Sequence, residues 1–224
     1  MQHYPLFINL TAKDALVVGA GAVGRRKIAS LLRCSPRGIT VIDPDISPAD
    51  IRALAASGPV SCHARTFVPA DLEGKFLVFA ATGDRKTNAL VAALCGERNI
   101  LCNIADAPLE SDFFVPAHFT SGGATVAVST GGLSPALAAH LSSELEAWVG
   151  KRYAGLLTVL GRLRPLVLHL GLSTKENTAI FRALVYSPLA NYLEQEQRDA
   201  AAALLAELLP EPLHPHMREL LHGL

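Results

Sequence analysis

The sequence predicts an α/β fold: a parallel, doubly wound sheet, then a small α+β segment, then a helical carboxyl-terminal region. Short apolar runs alternate with stretches of helical period from Ala15 to Ala105, the rhythm of strand-helix-strand crossovers. A complete Gly-x-Gly-x-x-Gly turn, Gly19, Gly21 and Gly24, joins the first such strand to the first helix. Beyond Asp106 the alternation stops, and two strands with a short turn lead into helix-forming sequence.

Ala15 to Val18 reads as the first strand, and Val23 to Leu32 as a helix with apolar residues at Val23, Ile28, Leu31 and Leu32. Pro36 and Gly38 end that helix, and Ile39 to Ile42 form a second strand closing on Asp43-Pro44-Asp45. Ser47-Pro48 supplies a cap and a first-turn proline for the next helix, which Gly58-Pro59 stops. Val60 to Thr66, Phe76 to Ala81 and Ile100 to Ala105 are the remaining parallel strands, with a helix from Thr82-Gly83-Asp84 to about Glu97. Phe113 to Phe119 and Thr125 to Ser129 flank the turn Ser121-Gly122-Gly123 and must therefore be antiparallel. Ser134-Pro135 caps a helix expected to reach about Val149; from Lys151 the chain is helical, with breaks near Gly171-Leu172-Ser173, Ser187-Pro188 and Pro210.

The chain has 224 residues, half of them hydrophobic, enough for one good core and a helical annex. Its 20 basic and 20 acidic side chains cancel, so no overall field draws it to nucleic acid or to an anionic membrane. The balance conceals a gap: no Lys or Arg lies between Arg98 and Lys151, where the charged residues are Asp106, Glu110, Asp112, Glu144 and Glu146. Cys34, Cys62, Cys95 and Cys102 form no Cys-x-x-Cys pair and are read as inert thiols in a reducing compartment. Met1 to Leu10 shows neither a charged leader nor a long apolar run, and no segment has the length of a membrane helix; a cytoplasmic location is expected.

The three fingerprint glycines serve separate physical ends, namely a tight turn, close approach of backbone to a pyrophosphate, and close helix-strand packing. The helix starting near Ala22 points its amides and positive dipole end at the phosphates. Asp43 follows about 20 residues on, where an acid accepts hydrogen bonds from ribose hydroxyls and repels a 2'-phosphate, favouring NAD over NADP. Thr82 and Gly83 end the fourth strand, in position to line the nicotinamide half. Simpler readings stay open for all of these: an ordinary strand-helix turn, an Asp-Pro turn and a plain helix cap.

Asp106, in Asn103-Ile104-Ala105-Asp106-Ala107-Pro108, falls at the carboxyl end of the fifth strand, where ligands of such sheets bind. A carboxylate there can take a proton as a hydride leaves substrate; the alternative is a turn acid. Ser129 and Thr130, in Ser129-Thr130-Gly131-Gly132-Leu133-Ser134-Pro135, suit an anion or a helix cap. No residues have metal-ligand spacing: His214 and His216 lie in a Pro-flanked tail, and His118 and His140 are isolated, so no metal site is expected.

The segments Gly19-Ala20-Gly21-Ala22-Val23-Gly24-Arg25-Arg26-Lys27, Ala80-Ala81-Thr82, Cys102 to Pro108 and Val126 to Pro135, with the opening Tyr4-Pro5-Leu6-Phe7, resemble the amino-terminal module of the siroheme synthase family. The resemblance runs from Tyr4 to about Leu145 and fades in the tail to helical character. It implies a Rossmann-like fold and the NAD-dependent oxidation of precorrin-2, a tetrapyrrole, to sirohydrochlorin. It assigns proton handling to the position of Asp106 and cofactor contacts to those of Ala22, Val23, Pro44 and Asp45. It also implies a homodimer formed through about Phe114 to Gly150, with the active site between subunits. Some members act as sirohydrochlorin ferrochelatases, so ferrous or cobaltous ion as a chelation substrate is left open. The position that can carry a phosphoserine is Thr130 here, and with the chain ending at Leu224 a form without the fused methyltransferase module is expected.

The expected organisation is thus a NAD-binding domain over 1–113, a dimerisation segment over 114–150 and a helical domain over 151–224. Substrate carboxylates must find cations outside the segment around Asp106: Arg25, Arg26 or Lys27, and Lys151, Arg152, Arg162 or Arg164, are the candidates, with Asn103, Ser129 and Thr130 as further substrate contacts. The competing reading is a non-catalytic NAD-sensing binding module in which Asp106 is structural.

Overall fold

Along the first strands successive apolar side chains alternate between two cores, as residues buried on both faces of a sheet must. In the computed structural model, which describes residues 4–224, Ala15 and Val17 of β1 (Asp14–Val18) join one buried cluster while Leu16 and Val18 join another. β2 (Gly38–Ile42), β3 (Val60–His63), β4 (Leu77–Ala80) and β5 (Leu101–Ile104) complete a parallel sheet of order β3-β2-β1-β4-β5. α1 (Ala22–Leu32) buries Ile28 and Leu31 in the first cluster, and α2 (Pro48–Ala56) adds Ile51 and Leu54. α3 (Arg85–Glu97) buries Val91 and Cys95 in the second, so helices cover both faces. The doubly wound, Rossmann-like sheet expected from the alternation is present.

The strand order reverses between β1 and β4, and a crevice at the carboxyl edge of such a switch point is where open α/β sheets bind ligands. The turn after β1 and the loops after β4 and β5 meet that edge. β5 is an edge strand, and its open side is closed by the following loop: Cys102 N donates to Asp112 Oδ2 at 2.9 Å and Ile104 N to Ser111 Oγ at 2.8 Å.

The chain forms two compact units, Met1–Val115 and Pro116–Leu224. Met1, Gln2 and His3, part of the segment read for a leader, lie outside the described residues. In the second unit β6 (Ala117–Ser121) and β7 (Ala124–Val128) pair antiparallel around Gly122 and Gly123, both at positive φ, as a two-residue hairpin requires. The strand expected from Phe113 begins instead at Ala117: Pro116 has no amide hydrogen for a ladder. β3 likewise ends at His63 rather than Thr66, as the chain turns into the Arg65–Asp71 ion pair.

α4 (Pro135–His169) carries the largest departure from expectation, running 35 residues rather than stopping near Val149. Gly150 and Pro165 signal breaks, yet Leu156, Val159, Leu163 and Val167, at helical spacing, form one fully buried seam. An interior proline costs about 3 kcal/mol. Each buried aliphatic side chain contributes about 1.5–3 kcal/mol, so the seam outweighs the breaker. The boundary expected at 150/151 therefore falls inside a continuous helix. α5 (Thr174–Tyr186), α6 (Leu189–Glu194) and α8 (Met217–Leu220) pack on α4, and α7 (Arg198–Leu208) packs against those three; the helices are separated at the breaks expected from Gly171, Ser187-Pro188 and Pro210. No described helix is long and apolar enough to cross a membrane.

Candidate dinucleotide site and its carboxylate

Gly19 (φ 99°) turns the chain out of β1, its amide still bonded to Ile42 O at 2.8 Å. A Cβ on Gly19 would collide with the Ala81 carbonyl, and one on Gly24 with the Gly19 carbonyl, so these two glycines are required by the fold itself. Gly21 differs: a Cβ there would meet nothing within 4 Å. Its missing side chain leaves open space beside the first turn of α1, whose amides have no side-chain cap. That cradle and helix terminus fit a pyrophosphate.

Asp43 follows β2 with its carboxylate turned to the glycine loop: Oδ2 accepts from Ala20 N at 2.5 Å and Oδ1 from Asp45 N at 2.8 Å. Ala22, Val23, Pro44 and Asp45 are all exposed around it. Arg25 does not reach toward this edge as a free cation, since it pairs with Asp50 at 2.8 Å and donates to Ala20 O at 2.9 Å. Lys27 lies over the Phe79 ring at 5.1 Å, and burial holds its ammonium below the usual lysine range.

Beyond β4 the chain forms a small polar lock. Thr82 N donates to Asn88 Oδ1 at 3.1 Å and Thr82 Oγ1 to the same oxygen at 2.7 Å, while Asn88 Nδ2 donates back to Thr82 O at 3.1 Å. Asn88 Nδ2 also donates to Asp106 Oδ1 at 2.8 Å. Asp84 begins α3 by accepting from Lys86 N and Thr87 N, both at 3.1 Å. Gly83 is exposed between them, with open space where a Cβ would sit. Asp106, one residue past the last sheet bond (Ala105 N to Ala80 O, 2.9 Å), is exposed at the same edge.

Asn88, 1% exposed, was not among the residues expected from the sequence, although it carries a signal there. With Val91 and Cys95 it occupies the buried stripe of α3, and an amide in an apolar stripe needs a partner. Other expected contacts have structural partners of their own. Asn103 is buried by the alternation of β5 and donates to Phe113 O at 2.9 Å. Ser129 Oγ accepts from Gly131 N at 3.2 Å, and Thr130 Oγ1 accepts from Ser134 N and donates to Ser134 O, both at 3.1 Å; these hydroxyls hold the approach to α4.

Arg152 pairs with Glu194 at 2.9 Å, with Lys151 3.7 Å from the same carboxylate. Arg162 donates to the carbonyls of Glu219, Leu220 and His222 at 2.7–3.1 Å, closing the carboxyl-terminal turn. Long basic side chains are thus spent inside the second unit, which charge counting along the sequence does not reveal. Arg164 differs, lying over the Phe181 ring at 5.8 Å and lining, with Arg182 and Tyr186, a cavity of about 470 Å³ between α4 and α5. Among the described residues no group of three or more His, Cys, Asp or Glu side chains is placed to hold a metal.

A parallel sheet with an open glycine turn, an acid after β2 and further polar groups at one switch point defines a dinucleotide-binding α/β protein. Residues 6–117 match a family described as "Putative NAD(P)-binding", and the chain belongs to that NAD(P)-binding family. Among curated proteins it is similar to siroheme synthase of Nitrosomonas eutropha, 34% identical over 210 residues, which are 93% of this chain and 44% of that protein. Siroheme synthase 2 of Klebsiella pneumoniae is 34% identical over 214 residues, 95% of this chain and 46% of that one. Siroheme synthase 1 of Aeromonas salmonicida is 38% identical over 164 residues, 73% and 35% of the two chains. The chain spans less than half the length of these relatives. A solved structure named SirC, precorrin-2 dehydrogenase, has the same fold: TM-score 0.74 at 23% identity, covering 92% of this chain and 98% of that one.

Proposed function

We propose that this chain oxidises precorrin-2 to sirohydrochlorin in siroheme synthesis, with NAD as hydride acceptor and Asp106 as proton acceptor. One observation carries the reading: the open Gly21 cradle, the Asp43 carboxylate and the Thr82–Asn88–Asp106 lock gather at the carboxyl edge of one sheet. The names of the full-length relatives and of the SirC fold neighbour give the substrate class.

Gly19, Gly21, Gly24 and the first turn of α1, through Ala22 and Val23, hold the pyrophosphate; Asp43, with Pro44 and Asp45, takes the ribose hydroxyls; Thr82 and Gly83 flank the nicotinamide. When bound, NAD would supply the acceptor for the hydride leaving the macrocycle. Asp106, facing solvent, accepts the accompanying proton and passes it to water. The Asp43 carboxylate disfavours a 2'-phosphate by like charge, which selects NAD over NADP.

A homodimer with a cytoplasmic setting belongs to the same reading. Only Phe119 of the β6–β7 ribbon is buried, and Leu133 (91% exposed), Leu137 and Trp148 leave apolar surface on the segment expected to dimerise. Glutamate in place of Trp148 is expected to dissociate the dimer in light-scattering measurements.

The test is turnover by the native chain. Incubated with precorrin-2 and NAD, it is expected to form one NADH per sirohydrochlorin; NAD binding without turnover would favour the sensing module instead. Adding ferrous or cobaltous ion to sirohydrochlorin and following the absorbance decides chelation.

A further inference from the structure

The amide of Asn88 can face only one way. Its oxygen must meet Thr82 N, a donor at 3.1 Å that cannot reverse its role, so the amide nitrogen necessarily faces Thr82 O and Asp106 Oδ1. The oxygen and both amide hydrogens of this buried side chain are then engaged: Oδ1 accepts from Thr82 N and lies 2.7 Å from the Thr82 hydroxyl, which also faces Asp84 O, and Nδ2 donates to Thr82 O and to Asp106. A satisfied buried network of this kind fixes its members rigidly.

We infer that Asn88 is the positioning residue of the site: it clamps Asp106 Oδ1 and so presents Oδ2 as the oxygen that receives the substrate proton. The inference rests on the proposed dehydrogenase reading and adds to it a residue that joins the two halves of the site. Asp106 sits on an exposed loop end, where a free carboxylate would rotate among several orientations. Asn88 is anchored in α3 and bonded to both sides of Thr82, the residue proposed to flank the nicotinamide. Proton acceptor and cofactor loop are therefore registered through one side chain, and proton-transfer rates are sensitive to such alignment.

Two variants separate this from a purely structural role. Asn88→Asp keeps acceptor oxygens for Thr82 N and Oγ1 but loses both donors and sets a carboxylate against Asp106; Asn88→Ala removes every bond. Turnover with precorrin-2 and NAD is counted per NAD-binding site by calorimetry, so misfolded molecules drop out. Asn88→Asp is expected to lower kcat about 10- to 100-fold with both KM values within about twofold of native, and Asn88→Ala to lower kcat less. Native kcat per NAD site in Asn88→Asp would overturn the inference. So would a loss confined to KM or to the number of sites. Asp106→Ala in the same assay judges the dehydrogenase reading separately: inactive Asp106→Ala with normal Asn88→Asp defeats only the role of Asn88.

Discussion

Asn88 Nδ2 donates to Asp106 Oδ1 at 2.8 Å, tying a buried amide of α3 to the exposed carboxylate that follows β5. The bond spans 18 residues of sequence and joins the first turn of α3 to the loop after β5. Its neighbours in the glycine turn lead to predictions of their own.

Gly21 and Gly24 should separate binding from folding. Gly21→Ala is expected to melt within a degree or two of native, because its Cβ enters open space, yet to lose NAD affinity by about 10-fold or more as that space is denied to the pyrophosphate. Gly24→Ala drives a Cβ into the Gly19 carbonyl and is expected to lower thermal stability by about 2 kcal/mol or more. Melting curves and NAD calorimetry on both variants check this.

Asp43→Asn should change cofactor choice without dismantling the loop. The amide oxygen still accepts from Ala20 N, at the loss of the bond from Asp45 N, while the charge proposed to repel a 2'-phosphate is gone. The ratio of NADP to NAD affinity is expected to rise about 10-fold, measured by competitive titration.

Arg65 and Asp71 predict an acid-dependent difference in stability. The Arg65 guanidinium beside Asp71, bonded at 2.6 and 2.8 Å, holds that carboxyl below the usual range. A depressed folded value means the stabilisation is complete above the unfolded value, about 3.9, and is lost as pH falls through the lower folded one. Arg65→Met should therefore melt below native at neutral pH, and the two curves should converge under strong acid.

The four thiols should react in order of burial. Cys34 is exposed, Cys62 half-buried, and Cys95 and Cys102 are buried together, where the hydrogen bond with Cys95 and then burial push the Cys102 thiol far up. Alkylation followed by mass spectrometry should label Cys34 first and leave Cys95 and Cys102 native until unfolding.

The sheet was legible because its causes are local: strand alternation, the glycines, and caps at Ser47 and Ser134 that accept from Asp50 N and Leu137 N as their spacing requires. Less local causes were not. α4 continues past Gly150 because a seam from Leu156 to Val167 meets three later helices, information spread over the rest of the chain. In the site, Asp106 stood out as a lone acid at a strand end, but its partner lay on another element. Arg152 and Arg162 looked free in sequence because Glu194 and the final carbonyls are 42 and up to 60 residues away.

Asp106 is proposed to take the proton at a site where the glycine turn holds NAD, and the variant Asp106→Ala probes both halves of that statement at once. NADH formation with precorrin-2 is measured alongside NAD affinity by calorimetry. Unchanged NAD affinity with kcat lowered about 100-fold or more is expected. Turnover at the native rate would show that Asp106 is not the proton acceptor.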